Sequence, residues 1–119
     1  MIRFVRLVLA AGAVVASTTA GAHALLVASV PARGQTLEAP PTEIRLTFNE
    51  HVEPRFTRVK LVNEAGQHLD ADRAQPDKND PNSVTCSVPV LKRGTWRAAW
   101  TAVGTDGHKT HGDFSFTVH

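Results

Sequence analysis

Apolar residues in this 119-residue chain recur every second position, and that period excludes most folds at once. Ile44, Leu46 and Phe48 alternate with Arg45, Thr47 and Asn49; Val84, Cys86, Val88 and Val90 alternate with Thr85, Ser87 and Pro89. Trp96, Ala98, Trp100 and Ala102 repeat the pattern, as do Phe114, Phe116 and Val118. Successive side chains of a strand point to opposite faces, so each segment reads as a strand with one face in a core and one in water. No stretch after the first two dozen residues carries the 3.6-residue period of a long helix.

Three weaker segments, Ala24 to Val30, Thr57 to Val62 and Gln67 to Ala71, raise the expected number of strands to about seven. Turn chemistry separates them: Pro31 to Gly34, Pro40-Pro41, Asn63 to Gly66, and Lys92-Arg93-Gly94. Short strands at this spacing predict an all-β Greek-key sandwich or small barrel. The polar run Asp72 to Asn82 is expected to be a solvated loop.

Residues 1–22 have the build of a secretory signal peptide. Arg3 and Arg6 give a positive start, Leu7 to Ala16 an apolar stretch, and Ala20-Gly21-Ala22 a small-x-small cleavage pattern. Cleavage after Ala22 leaves one domain, residues 23–119, and makes His23 its first residue. A free α-amine then sits beside an imidazole on the same residue, and the pair can chelate a transition metal at little cost in protons near neutral pH. The plain alternative is that some residue must follow a cleavage site.

Charge narrows the function classes. The full chain has 13 Lys and Arg against 11 Asp and Glu, but Arg3 and Arg6 leave with the signal and the remaining charge is near zero. Such balance argues against an electrostatic nucleic-acid binder. Cys86 is the only cysteine, so no disulfide forms within the chain, and its phase with Val84 and Val88 makes it a small core residue. Beyond the signal no apolar run approaches the ~20 residues of a membrane span. Trp96 and Trp100 share one strand face and are core candidates.

A second cluster, Val103 to Val118, connects the tryptophan strand to the last strand, and its polar residues belong at one end of the sandwich. Asp106 and His108 are two apart, a spacing that in extended backbone puts both side chains on one side, and Gly107 lets the chain bend closely there. Asp106-Gly107 also has an ordinary account as a turn, and His108 as a surface residue. Joined to the His23 amine and imidazole, the two would complete an N3O set suited to Cu(II).

His23-Ala24, Ser29-x-Pro31, Pro40-Pro41-x-Glu43-Ile-Arg-Leu-Thr-Phe48-Asn-Glu50 and Val103-x-x-Asp106-Gly107-His108-x-x-x-Gly112-x-Phe114-x-Phe116-x-Val118 stand in this order along the mature chain. In them the sequence resembles the bacterial CopC copper-resistance proteins, YobA-like members included. The resemblance implies a cupredoxin-like, immunoglobulin-like β-barrel in the periplasm that binds one Cu(II) per chain through His23, Asp106 and His108. It also implies a CopD-like inner-membrane partner; a monomer is expected. Glu50 is a candidate acceptor for a ligand imidazole N–H, or a plain strand-end carboxylate. Some family members also bind Cu(I) through a methionine-rich loop, whereas here Met1 is the only methionine and leaves with the signal. His111 has no counterpart in the motif and reads as an auxiliary ligand or a surface residue; His51, His68 and His119 read as solvent-facing.

The reading that follows is a non-enzymatic periplasmic copper carrier or buffer. Two alternatives stand beside it. One is a copper oxidase or monooxygenase, since lytic polysaccharide monooxygenases also use an amine-and-imidazole brace; the other is a metal-free immunoglobulin-like interaction module.

Overall fold

The computed structural model describes residues 23–119 together with Gly12, so the signal segment expected at 1–22 otherwise lies outside the described residues. Nine strands and one short 3-10 turn follow one another: β1 Leu26–Val30, β2 Thr36–Leu37, β3 Glu43–Phe48, the turn Pro54–Phe56, β4 Arg58–Asn63, β5 His68–Asp70, β6 Gln75–Pro76, β7 Ser83–Ser87, β8 Gly94–Val103 and β9 Lys109–Val118. They form a four-stranded sheet ordered β1-β3-β7-β6 and a five-stranded sheet ordered β2-β9-β8-β4-β5. Strands adjacent in space but not in sequence, such as β3 beside β7 and β8 beside β4, require connections that pass between the sheets as in a Greek key. The fold is the expected all-β sandwich. Its two additions to the seven expected strands, β2 and β6, are two residues long, too short to show a period.

Alternation decides which residues meet inside. Ile44, Leu46 and Phe48 of β3 and Val84 and Cys86 of β7 face Val59 and Leu61 of β4, Trp96, Ala98, Trp100 and Ala102 of β8, and Phe114, Phe116 and Val118 of β9. Each large side chain among them contributes roughly 1.5–3 kcal/mol by leaving water. Phe48 meets the Trp100 ring edge to face with centroids 5.3 Å apart, and the buried Trp96 indole donates to the Lys92 carbonyl at 2.9 Å. Burial pushes the Cys86 thiol up to about 11, consistent with an inert core residue.

The period breaks after β7. Val90, in phase with Val84 and Cys86, is 86% exposed, and Leu91 enters the core instead. β7 ends at Ser87, and Pro89 has no N–H to continue a ladder, so the chain leaves the sheet and its phase resets. The 72–82 segment also departs from a plain solvated loop. β6 pairs with β7, and Asp77 and Asp80 hold Arg45 of β3 at 3.0 and 3.8 Å.

Candidate metal centre

β8 and β9 pair without interruption from Gly94 opposite Val118 to Val103 opposite Lys109. The loop between them is closed by Gly104 N–H donating to His108 O at 3.1 Å and Gly107 N–H donating to Gly104 O at 2.9 Å. This is the pattern of a three-residue hairpin loop whose last residue turns left-handed, and Gly107 has φ +85°. A Cβ on Gly107 would meet nothing within 4 Å. Gly107 thus supplies the turn's handedness.

The close approach belongs to Gly104. A Cβ there would stand 2.6 Å from Glu50 Oε1 and 2.9 Å from Asp106 Oδ1, so two carboxylates share the space a side chain would take. Nothing in a lone Val-Gly step before a turn advertises this, because Glu50 arrives from a distant strand end. The approach is fixed by a bridge between Val52 and Gly104 and by Glu53 N–H donating to Val103 O at 2.8 Å. Glu50 itself makes no hydrogen bond to an imidazole among the described residues.

Asp106 and His108 share a side because of a turn, not because the backbone is extended. Asp106 Oδ1 accepts the His108 backbone N–H at 3.0 Å, and Oδ2 lies 2.8 Å from His108 Nδ1. These two bonds, the side-chain one first and the backbone one second, hold the Asp106 carboxyl below its ordinary range, with the charges of His108 and His23 adding to the effect. The second histidine comes from the other sheet. Ala24 is buried, Leu25 N–H donates to Asn49 Oδ1 at 2.8 Å, and Asn49 N–H returns a bond to Leu25 O at 3.0 Å. This clamp delivers His23 to the hairpin, its ring centroid 5.1 Å from that of His108 at an interplanar angle of 79°. Asn49 had been only one letter of a motif; its side chain positions the N-terminal segment.

His23, Asp106 and His108 are therefore brought together at one end of the sandwich. His111 sits on β9 opposite Thr101 and joins His23, Trp100 and Lys109 in lining a cleft of about 590 Å³. His51, His68 and His119 are exposed. Among the described residues no three His, Cys, Asp or Glu side chains are arranged to hold a metal ion as they stand. The bond between Asp106 and His108 occupies one carboxylate oxygen and one ring nitrogen. The donor types, two imidazoles and a carboxylate, remain those that suit an N,O-liganded divalent ion.

A family model for the CopC domain matches residues 26–119. The chain belongs to the CopC family. Copper resistance protein C of Pseudomonas syringae pv. tomato is 34% identical over 115 residues, covering 92% of this chain and 90% of that protein. Protein YobA of Escherichia coli K12 is 34% identical over 100 residues, covering 82% and 79%. The copper transport protein CutJ of Bacillus subtilis is 33% identical over 101 residues, 84% of this chain but only 19% of CutJ, so this chain spans about a fifth of that relative. Among solved structures, CopC from Methylosinus trichosporium OB3b superposes with a TM-score of 0.74 at 26% identity, covering 81% of this chain and 93% of that one. PcoC of Escherichia coli, a methionine-rich copper resistance protein, gives 0.70 at 31% identity, covering 82% and 100%. No helix among the described residues of this CopC chain is long and apolar enough to cross a membrane.

Proposed function

We propose that this CopC protein is exported to the periplasm, loses residues 1–22, and there holds one Cu(II) as carried cargo for copper resistance. Its ligands are the amine and imidazole of His23, the carboxylate of Asp106 and the imidazole of His108. The observation that carries this reading is the meeting of His23 with the Asp106–His108 pair, with ring centroids 5.1 Å apart and a carboxylate 2.8 Å from one ring. Asp106 is a charged carboxylate at neutral pH and so available to a cation. Loading turns Asp106 from the His108 ring nitrogen to the ion. An anionic oxygen with three nitrogens favours Cu(II) over Cu(I). The relatives named for copper resistance and copper transport support the cargo. CutJ, which carries a similar region inside a far longer transport protein, supports a membrane copper transporter of CopD type as partner. The protein acts as a monomeric carrier or buffer without catalysis.

The test is a Cu(II) titration, against a competing chelator, of protein beginning at His23 and of protein retaining Ala22. Every side chain is identical in the two, but Ala22 converts the His23 amine to an amide. The extended form is expected to bind more than a hundredfold more weakly, beyond the ~10–100-fold of an outer-shell change. Equal affinities overturn the amine ligand. Negligible oxygen consumption with copper and a reductant is expected in the same preparation, and sustained turnover overturns the non-enzymatic reading.

A further inference from the structure

Although the processed chain carries almost balanced charge, its cations are not evenly spread. Arg55, Arg58, Lys60 and Arg73 are exposed and adjoin one another. Arg55, Arg58 and Arg73 line one cleft with Glu53, and Arg58, Lys60 and Arg73 line a second with Asp70. None of the four forms an ion pair among the described residues, whose Arg ion pairs are those of Arg45 and Arg97. At the tip of the same patch Phe56 is 51% exposed, with the Arg55 guanidinium carbon 5.1 Å from its ring centroid. That exposure is enforced. Thr57 is fully buried, its hydroxyl donates to Glu53 O at 3.0 Å, and Arg58 Nη1 donates to the Arg55 and Thr57 carbonyls. The turn is thereby locked with its aromatic ring facing water.

We propose that Arg55, Phe56, Arg58, Lys60 and Arg73 form a docking surface for an anionic phospholipid bilayer. Guanidinium groups bind phosphate oxygens through paired N–H donors, and clustered cations beside an apolar side chain gain from both the surface charge and the headgroup boundary of a membrane. The exposed ring favours a bilayer over an acidic protein face, because carboxylates complement the cations but give Phe56 nothing to enter. The patch also has an address. Glu53, which lines the patch, donates its N–H to Val103 O beside the 104–108 hairpin, so the patch adjoins the strand end that carries the hairpin. This surface stands or falls independently of copper binding.

Sedimentation of the processed protein with vesicles tests it directly. The protein is expected to pellet at low salt with vesicles of phosphatidylglycerol and phosphatidylcholine, to stay in solution with phosphatidylcholine alone, and to be released as salt shortens the screening length. Replacing Arg55, Lys60 and Arg73 together by Gln should weaken binding on the order of a hundredfold, roughly fivefold per cation. Phe56→Ser should weaken it without changing the salt dependence. Lys92→Gln with Arg93→Gln, on the β7–β8 connection, is the control and should change little; circular dichroism verifies that each variant is folded. The proposal is overturned by absence of vesicle binding, by equal loss in the control variant, or by capture on polyglutamate with no capture on vesicles.

Discussion

Asp80 and Asp106 stand in two loops built on one local device. Asp80 Oδ1 accepts the Asn82 N–H at 3.0 Å, and Asp106 Oδ1 accepts the His108 N–H at 3.0 Å, each reaching two residues ahead. Each second oxygen takes a side chain: Ser83 Oγ at 2.7 Å in one loop, His108 Nδ1 at 2.8 Å in the other. Both carboxyls are pulled below their ordinary range chiefly by these bonds. The outcomes diverge at the third partner. Around Asp80 the network runs back to β3, with Ser83 Oγ 2.7 Å from Thr47 Oγ1 and Arg45 Nη2 3.8 Å from Asp80 Oδ2. Around Asp106 it ends on an imidazole with a second imidazole beside it. A carboxylate held by a backbone N–H, a hydroxyl and a guanidinium ties strands together, whereas one that ends on a metal-binding side chain leaves chemistry available.

The sharpest way to break this comparison is to exchange the readouts. His108→Ala is expected to lower Cu(II) affinity by more than a hundredfold and Asp106→Asn by roughly 10–100-fold, both with little change in melting temperature. Asp80→Asn should lower the melting temperature and leave Cu(II) affinity unchanged. Chelator competition and thermal unfolding on the same samples decide it, and copper loss in the Asp80 variant would merge the two loops into one function.

Two glycines of the same hairpin sharpen it further. Gly112→Ala drives a Cβ to 2.7 Å from Trp100 Cζ2. Because that ring is largely buried and held against Phe48, a cost of about 1–3 kcal/mol in chemical denaturation is expected, with Cu(II) affinity retained. Gly104→Ala meets only the ends of Glu50 and Asp106, which can swing away. It should be cheap in stability and cost Cu(II) affinity roughly tenfold by displacing Asp106.

The smallest effect is in pH. Both aspartates have folded-state values below the usual 3.8, so each contributes stability that is fully present above 3.8 and is lost as pH falls through the lowered value. The melting-temperature gap between the metal-free parent and Asp80→Asn is therefore expected to stay constant from neutral pH to about 4 and to shrink below 3.8. A gap that closes above pH 5 contradicts the assignment.

Much of the fold was legible because strand formation in a half-buried sheet writes its period into the residues that form it. Four strands, the tryptophans in the core and the buried Cys86 follow from that period, and the turn chemistry between weaker segments raises the strands to seven. Val90 was misplaced because phase carries through a run of letters even after Pro89 has ended the ladder. For the candidate centre, residue types and the family resemblance pointed to His23, Asp106 and His108, but the extended-spacing argument for the last two gave the right side for the wrong reason, since an Asx-type turn holds them together.

By itself the sequence determined the alternation, the turn glycines and the donor types, all properties of residues a few positions apart. Only the tertiary structure decided that the Leu25–Asn49 clamp carries His23 to a hairpin from the other sheet, and that Glu50 fills the space Gly104 leaves empty. It also decided that four cations scattered from Arg55 to Arg73 share one surface. Contacts between residues far apart in the chain depend on loop closure and on packing of the two sheets, and neither leaves a periodic mark on the residues that meet.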